Sequence, residues 1–303
     1  MKFDFKILLL AGIILILISG ATSPTSCQKS TGTTFNSTGL LMDFIEDAPP
    51  KLMTTGQQYP IYLDIQNQGG ADIQQGQAAF YLTGVGENLQ NIEFKKQNTN
   101  ILSKKSIYQD GGKERIIFSQ GAKPWKNLPN PYNITMKIDS CYNYATVTQT
   151  VICIGSKDDI CTISGDKIIT QSNSAGPIQV TSMTEQVQGN KLYLTFKLEN
   201  KGVGEVYSFN SDCDKLENND LNEKTKKDLV NIQIETESGF SCTLQNAEAP
   251  YGQKQGTEGL ANVGAITCVK ILGTERTYST PIQIVLTYKY FESLAKTMTI
   301  LPA

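Results

Sequence analysis

The sequence predicts an all-β protein: two tandem β-sandwiches behind an N-terminal signal or membrane-anchor helix. Three observations predict it. Apolar residues recur at every second position in several segments, one such pattern is repeated along the chain, and the first twenty residues carry an apolar run behind two lysines.

The leader reads MKFDFKILLLAGIILILISGATSPTSC. Lys2 and Lys6 form a positive start, Ile7 to Ile18 is apolar except for Gly12, and Ser19 and Ala21 are placed for cleavage after Ala21. Counted to Ala21, the run would make a helix of about 22 Å against a hydrocarbon core of roughly 30 Å. Residues 1–21 are therefore read as a signal peptide, with a retained anchor as the alternative. Positive charge ahead of the run keeps that end inside in either case. Residues 22–38, rich in serine and threonine, read as a stalk. Cys27 stands well past the apolar run, which argues against a lipid-attachment site. Asn36-Ser37-Thr38 and Asn133-Ile134-Thr135 match the glycosylation triplet, a short pattern that is frequent by chance.

The body reads as strands. In YPIYLDIQNQGG, Tyr59, Ile61, Leu63 and Ile65 alternate with polar residues, and Asn67 with Gly69 closes the segment. In KLYLTFKLENKG, Leu192, Leu194, Phe196 and Leu198 alternate, and Asn200 with Gly202 closes it. The far ends match as well. Setting Tyr142 and Tyr144 on Tyr288 and Tyr290 aligns Met136 with Ile282, Ile138 with Ile284, Ile152 with Met298 and Ile154 with Ile300. The offset grows from 133 to 146, so the second unit holds 13 extra residues, placed in the charged stretch around Asp212 to Asp228. The expected division is a sandwich over 39–154, a semi-rigid connector over 155–176 whose flexibility would pose the sandwiches, and a sandwich over 177–303 with a charged insertion at 212–229. Lys215 to Leu229 is read equally as a short solvated helix or a loop.

Seven cysteines accompany the export signal, and none forms a C-x-x-C pair, so disulfides are expected. Cys153 with Cys161 closes a small loop, while Cys141 with Cys153 is the alternative. Cys213 with Cys242 is preferred because it would pin the insertion to a strand, and Cys242 with Cys268 is nearly as good. Cys141 and Cys268 would then be buried thiols, or one would pair with Cys27.

Composition narrows the chemistry. Net charge is -2, which gives no basic field for nucleic acid. The chain has no histidine, which removes a Ser-His-Asp triad and most zinc sites. Glu46-Asp47, Asp158-Asp159, Asp212/Asp214 and Glu235/Glu237 are the paired carboxylates, read as solvated charge. Asp212, Asp214 and Asp220 lack the ordered spacing of a calcium loop. No catalytic residue, cofactor or metal ligand is expected. The tyrosines at 142, 144, 288 and 290 are read as core. Trp125, in GAKPWKNLPNP, is a candidate interface anchor.

An alternating strand followed by N-x-G, with Y-x-Y near the last strands, resembles the immunoglobulin-like domains of archaeal envelope proteins, of the CARDB-type and S-layer-associated groups. APPKLMTTGQQYPIYLDIQNQGG is similar to their opening, and CYNYATVTQTVICI to a closing hairpin. The resemblance implies spacer, adhesion or scaffold modules with no catalytic residues to carry over. The expected function is thus an extracytoplasmic, membrane-tethered or secreted structural, adhesion or scaffold protein. The alternative is an accessory or ligand-binding subunit of an envelope complex. The expected partners are a protein of the membrane or envelope and, if the leader is uncleaved, the lipid bilayer.

Overall fold

In the computed structural model the described residues are 37–124, 129–155, 161–162, 165–167, 172–236, 239–244, 257–273 and 276–303. They belong to one compact unit, Phe35–Ala303. Trp125, Asn36, Cys27, Asp158, Asp159 and Glu237, like the leader, lie outside the described residues.

The body is an all-β sandwich fold. Its first half holds β1 (Leu40–Phe44), β2 (Leu52–Thr54), β3 (Tyr59–Asn67), β4 (Ala78–Thr83), β5 (Leu89–Gln90), β6 (Lys95–Gln97), β7 (Lys113–Pro124) and β8 (Tyr132–Ile154). The second holds β9 (Gly165–Lys167), β10 (Ile178–Gln188), β11 (Lys191–Asn200), β12 (Glu205–Ser208), β13 (Leu229–Glu235), β14 (Phe240–Cys242), β15 (Thr257–Asn262), β16 (Ala265–Ile271) and β17 (Tyr278–Leu301). Two short helices, α1 (Cys213–Glu217) and α2 (Leu221–Lys224), stand between β12 and β13.

Alternation in the sequence is realised as alternation in burial. In β3, Ile61, Leu63 and Ile65 are buried; in β11, Leu192, Leu194, Phe196 and Leu198 are buried. These strands lie in two small sheets, β1-β3-β7-β5 and β14-β16-β11-β10-β9. Both pack on one eight-stranded sheet with the path β15-β13-β17-β8-β4-β6, to which β12 and β2 add through β17. One hydrophobic cluster runs through all three sheets.

The two halves are joined by their last strands. β8 pairs antiparallel with β17 over its whole length, from Tyr132 opposite Ile300 to Ile154 opposite Tyr278. The pairing is symmetric about Asn143 opposite Lys289, with Tyr142 facing Tyr290 and Tyr144 facing Tyr288. The same 146-residue offset seen in the sequence relates the two strands.

Each long strand therefore serves both sandwiches. Met298 and Ile300 at the end of β17 pair beside Ile134 and Tyr132, and β2 of the first half adds in parallel at Thr299 to Leu301. Ile152 and Ile154 of β8 likewise stand beside the start of β17. A boundary at 155–176 follows the chain but does not separate two cores. The connector also differs from the expectation that it would pose the sandwiches. Twenty-three residues of strand pairing fix their relation. Within the connector, Gly165–Lys167 pairs with β10, and Asn173 bonds Thr148 and Val180.

The insertion folds back onto the body. Asp212 caps α1, its carboxylate accepting from the Asp214 and Lys215 amides, and Asp220 caps α2 in the same way. Leu216 is buried against Ala79, Tyr81, Cys141 and Tyr207 on the outer face of the large sheet. β13 holds the place beside β17 that β4 holds beside β8, and β12 adds to β17 ahead of it. The helices fill the connection between β12 and β13.

The cysteine pairing expected for the insertion is corrected. Cys213 bonds Cys141, not Cys242. Cys242 lies on β14 directly opposite Cys268 of β16, and those two are bonded. The reason is layering. β14 belongs to a small sheet, whereas Cys213 opens a helix on the outer face of the large sheet, where the odd-numbered face of β8 presents Cys141. Cys153 bonds Cys161. Three disulfides fit folding in an oxidising, extracytoplasmic compartment.

Candidate functional site

Three places stand out on the described body. The first is the symmetric centre, where four tyrosines meet, with ring centroids 5.8 to 6.5 Å apart. Asn67 Nδ2 donates to the Ala71 and Leu102 carbonyls at 2.7 and 2.9 Å, and its Oδ1 accepts from the Gly69 amide and the Tyr144 hydroxyl. Asn200 repeats this with Gly204, Gly202 and Tyr290. The Tyr142 hydroxyl accepts from the Leu40 amide, and that of Tyr288 from the Ile178 amide. Leu40 stands opposite Asn67, and Ile178 opposite Asn200. Burial pushes all four phenols up, that of Tyr290 to about 12. They stay protonated, as hydroxyls that both accept and donate. The centre is structural.

At its edge, Glu292 accepts from the Tyr142 hydroxyl at 3.1 Å. Burial pushes this carboxyl up to about 7, against the lowering effect of that bond.

The second place is a cleft on the outer face beneath the insertion, of about 420 Å³. Asn143, Lys289, Gln77, Tyr81 and Lys95 line it, with the Cys141–Cys213 bridge at one side. Lys289 donates to Asn143 Oδ1 at 2.7 Å and lies 5.7 Å from the Phe209 ring. Burial lowers its pKa, opposed by Asp212 and Glu223. Asp214 accepts from Tyr81 and is paired with Lys95, which holds its carboxyl below the usual range. The carboxylates here are thus committed to capping and ion pairing.

The third place is the loop between β6 and β7. It leaves the core at Leu102, which is fully buried and exchanges two backbone bonds with Ile73. At its tip Ile107 is 77% exposed and Tyr108 93%. The sequence reading passed over this pair. Its signal is an apolar dipeptide in SKKSIYQDGGK, a stretch otherwise made of polar and turn residues.

The remaining sequence candidates fall elsewhere. Glu46 and Asp47 are exposed beside a turn. Glu235 accepts from Gln233 and Gln283. Asn133 is exposed but sits within β8, accepting from the Thr299 hydroxyl. Among the described residues, no group of three or more histidine, cysteine or acidic side chains is placed to hold a metal. Among them also, no helix is long and apolar enough to cross a membrane.

No family model and no curated protein matches the chain. Among solved structures it is similar to the secreted serine protease VesC from Vibrio cholerae, at 11% identity and a TM-score of 0.20. That match covers 82% of this chain and 50% of the protease, so the chain spans about half of that protein's length. A TM-score so low carries no argument about fold or activity.

Proposed function

We propose that this chain is an extracytoplasmic, non-catalytic scaffold or adhesion protein, held at a membrane by its leader, and related to the immunoglobulin-like domains of archaeal envelopes. The observation that carries the proposal is the pairing of β8 with β17, which makes two sandwiches one continuous body. A spacer must hold a fixed geometry, and a shared sheet does this where a linker would not. The lack of histidine throughout the sequence and the tied carboxylates around the cleft support a role without catalysis.

The test is fractionation of cells expressing the full chain, followed by crosslinking in intact membranes. The proposal expects the chain in the membrane fraction, its body exposed to protease added from outside, and a repeated protein neighbour. Recovery in the cytoplasm with free thiols would sink it.

A second reading, an accessory ligand-binding subunit, is favoured by the cleft around Lys289 and Asn143. It expects Lys289→Ala to abolish capture of a small ligand while leaving membrane attachment unchanged.

A further inference from the structure

We propose that the tip of the β6–β7 loop, Ile107 and Tyr108, docks in the interface of the bilayer that holds the leader. The inference rests on the membrane tether proposed above.

The placement of the loop comes first. The chain enters the body at Gly39, whose carbonyl accepts from the Gln68 amide. The neighbouring Gly69 carbonyl accepts from the Lys105 amide, and Lys105 Nζ reaches the Gln68 side chain. Two backbone hydrogen bonds and one peptide unit thus connect the point of entry to the base of the tip. The first described residues of the body lie beside the base of the tip. The stalk, residues 22–38, reaches about 60 Å when fully extended, so it lets the body rest against the membrane and keeps the tip at high local concentration there.

The loop is also built to hold its tip out. The Gly112 amide donates to the Ser103 carbonyl, and a Cβ on Gly111 would stand 1.6 Å from the Asn67 carbonyl oxygen. At the turn, the Ser106 amide donates to the Gln109 carbonyl and the Tyr108 amide to the Ser106 hydroxyl. Two amides and the Gln109 carbonyl are satisfied within the turn, which fixes its shape. Tyrosine with a large aliphatic neighbour suits the headgroup level, where a ring can bury its body and keep its hydroxyl wet.

Among the described residues, the equivalent connection of the second half makes no such excursion. There the strand equivalent to β7 is entered by the short connection Val263–Gly264. The tip is thus an addition to the repeated unit. Its flanking charges, Lys104 and Lys105 against Asp72 and Asp110, balance in number. The docking is therefore apolar, and it does not select anionic lipid.

The test uses the full chain carrying Tyr108→Trp and Trp125→Phe, reconstituted in phosphatidylcholine vesicles. Flotation reports the tether, and indole fluorescence reports the tip. The proposal expects a blue-shifted emission, quenching by lipids brominated in their acyl chains, protection from iodide, and no loss of these on adding salt. Ile107→Ser in the same chain should restore access to iodide. A chain that floats while the indole stays open to iodide overturns the docking and leaves the tether standing. A chain that does not float removes the tether, and the docking with it. Protection seen in native membranes but not in pure lipid overturns the proposal in favour of a protein occupant. So does quenching that needs anionic lipid and vanishes with salt.

Discussion

At the scale of single residues, each N-x-G motif is a socket for a tyrosine. Asn67 uses all four of its hydrogen-bonding positions within the fold. Gly69 is there because the Tyr144 hydroxyl would lie 1.6 Å from a Cβ, and Gly202 because that of Tyr290 would lie 2.2 Å from one. Gly69→Ala should destabilise the protein by about 2–4 kcal/mol through overpacking and a lost bond, whereas Tyr144→Phe should cost about 1–2 kcal/mol. Urea unfolding of the two variants would show that order. Glu292 makes a prediction of a different kind. Its folded pKa near 7 lies above an ordinary carboxyl value of 4.5, so the folded state holds the proton more tightly. Its contribution is fully present below pH 4.5 and is lost as pH rises through 7. Glu292→Gln, which mimics the protonated form, should match the parent at pH 4 and exceed it at pH 8 by on the order of 2 kcal/mol. Equal melting temperatures for the two proteins at pH 8 would refute this.

At the scale of elements, the insertion is a small annex with its own cap residues, its own apolar contact and its own bridge. α1 and α2 are only 5 and 4 residues long, too short to hold as helices alone. They hold because Leu216 packs beside Tyr81 and because Cys213 is bonded to β8. The bridge closes a loop of 72 residues and is worth about 2–4 kcal/mol. Cys141→Ser with Cys213→Ser should therefore release residues 209–228 before the sheets open. Amide exchange should rise there while β8 and β17 stay protected. Uniform loss of protection would show instead that the bridge supports the whole sandwich.

At the scale of the whole molecule, the shared strands couple the halves. β17 completes the first sandwich with its end and the second with its start, so neither half has a full core without the other. Thermal unfolding should be one cooperative transition by calorimetry and by circular dichroism alike. A fragment ending at residue 154 should fail to fold, because it exposes the long edge of β8 and lacks Met298 and Ile300. Two separate transitions, or a stable first fragment, would mean that the sandwiches are independent after all.

The sequence alone determined the all-β class, the alternating segments that became β3, β8, β11 and β17, and the internal repeat, since each of these is local or periodic. Alternation at Ile61, Leu63 and Ile65 must face a core whatever that core is, and two copies of N-x-G with Y-x-Y fix which residues correspond. The same parity sets Cys141, next to Tyr142, on the face away from the tyrosines. What covers that face, and which cysteine meets it, is not periodic. Pairing of Cys141 with Cys213 depends on the insertion folding back over the outer surface. Fusion of the sandwiches depends on β8 finding β17 more than a hundred residues away. The apolar pair Ile107 and Tyr108 is visible in the sequence, but its exposure was not, for a related reason: exposure is set by what fails to pack against a side chain. Only the folded chain decides that.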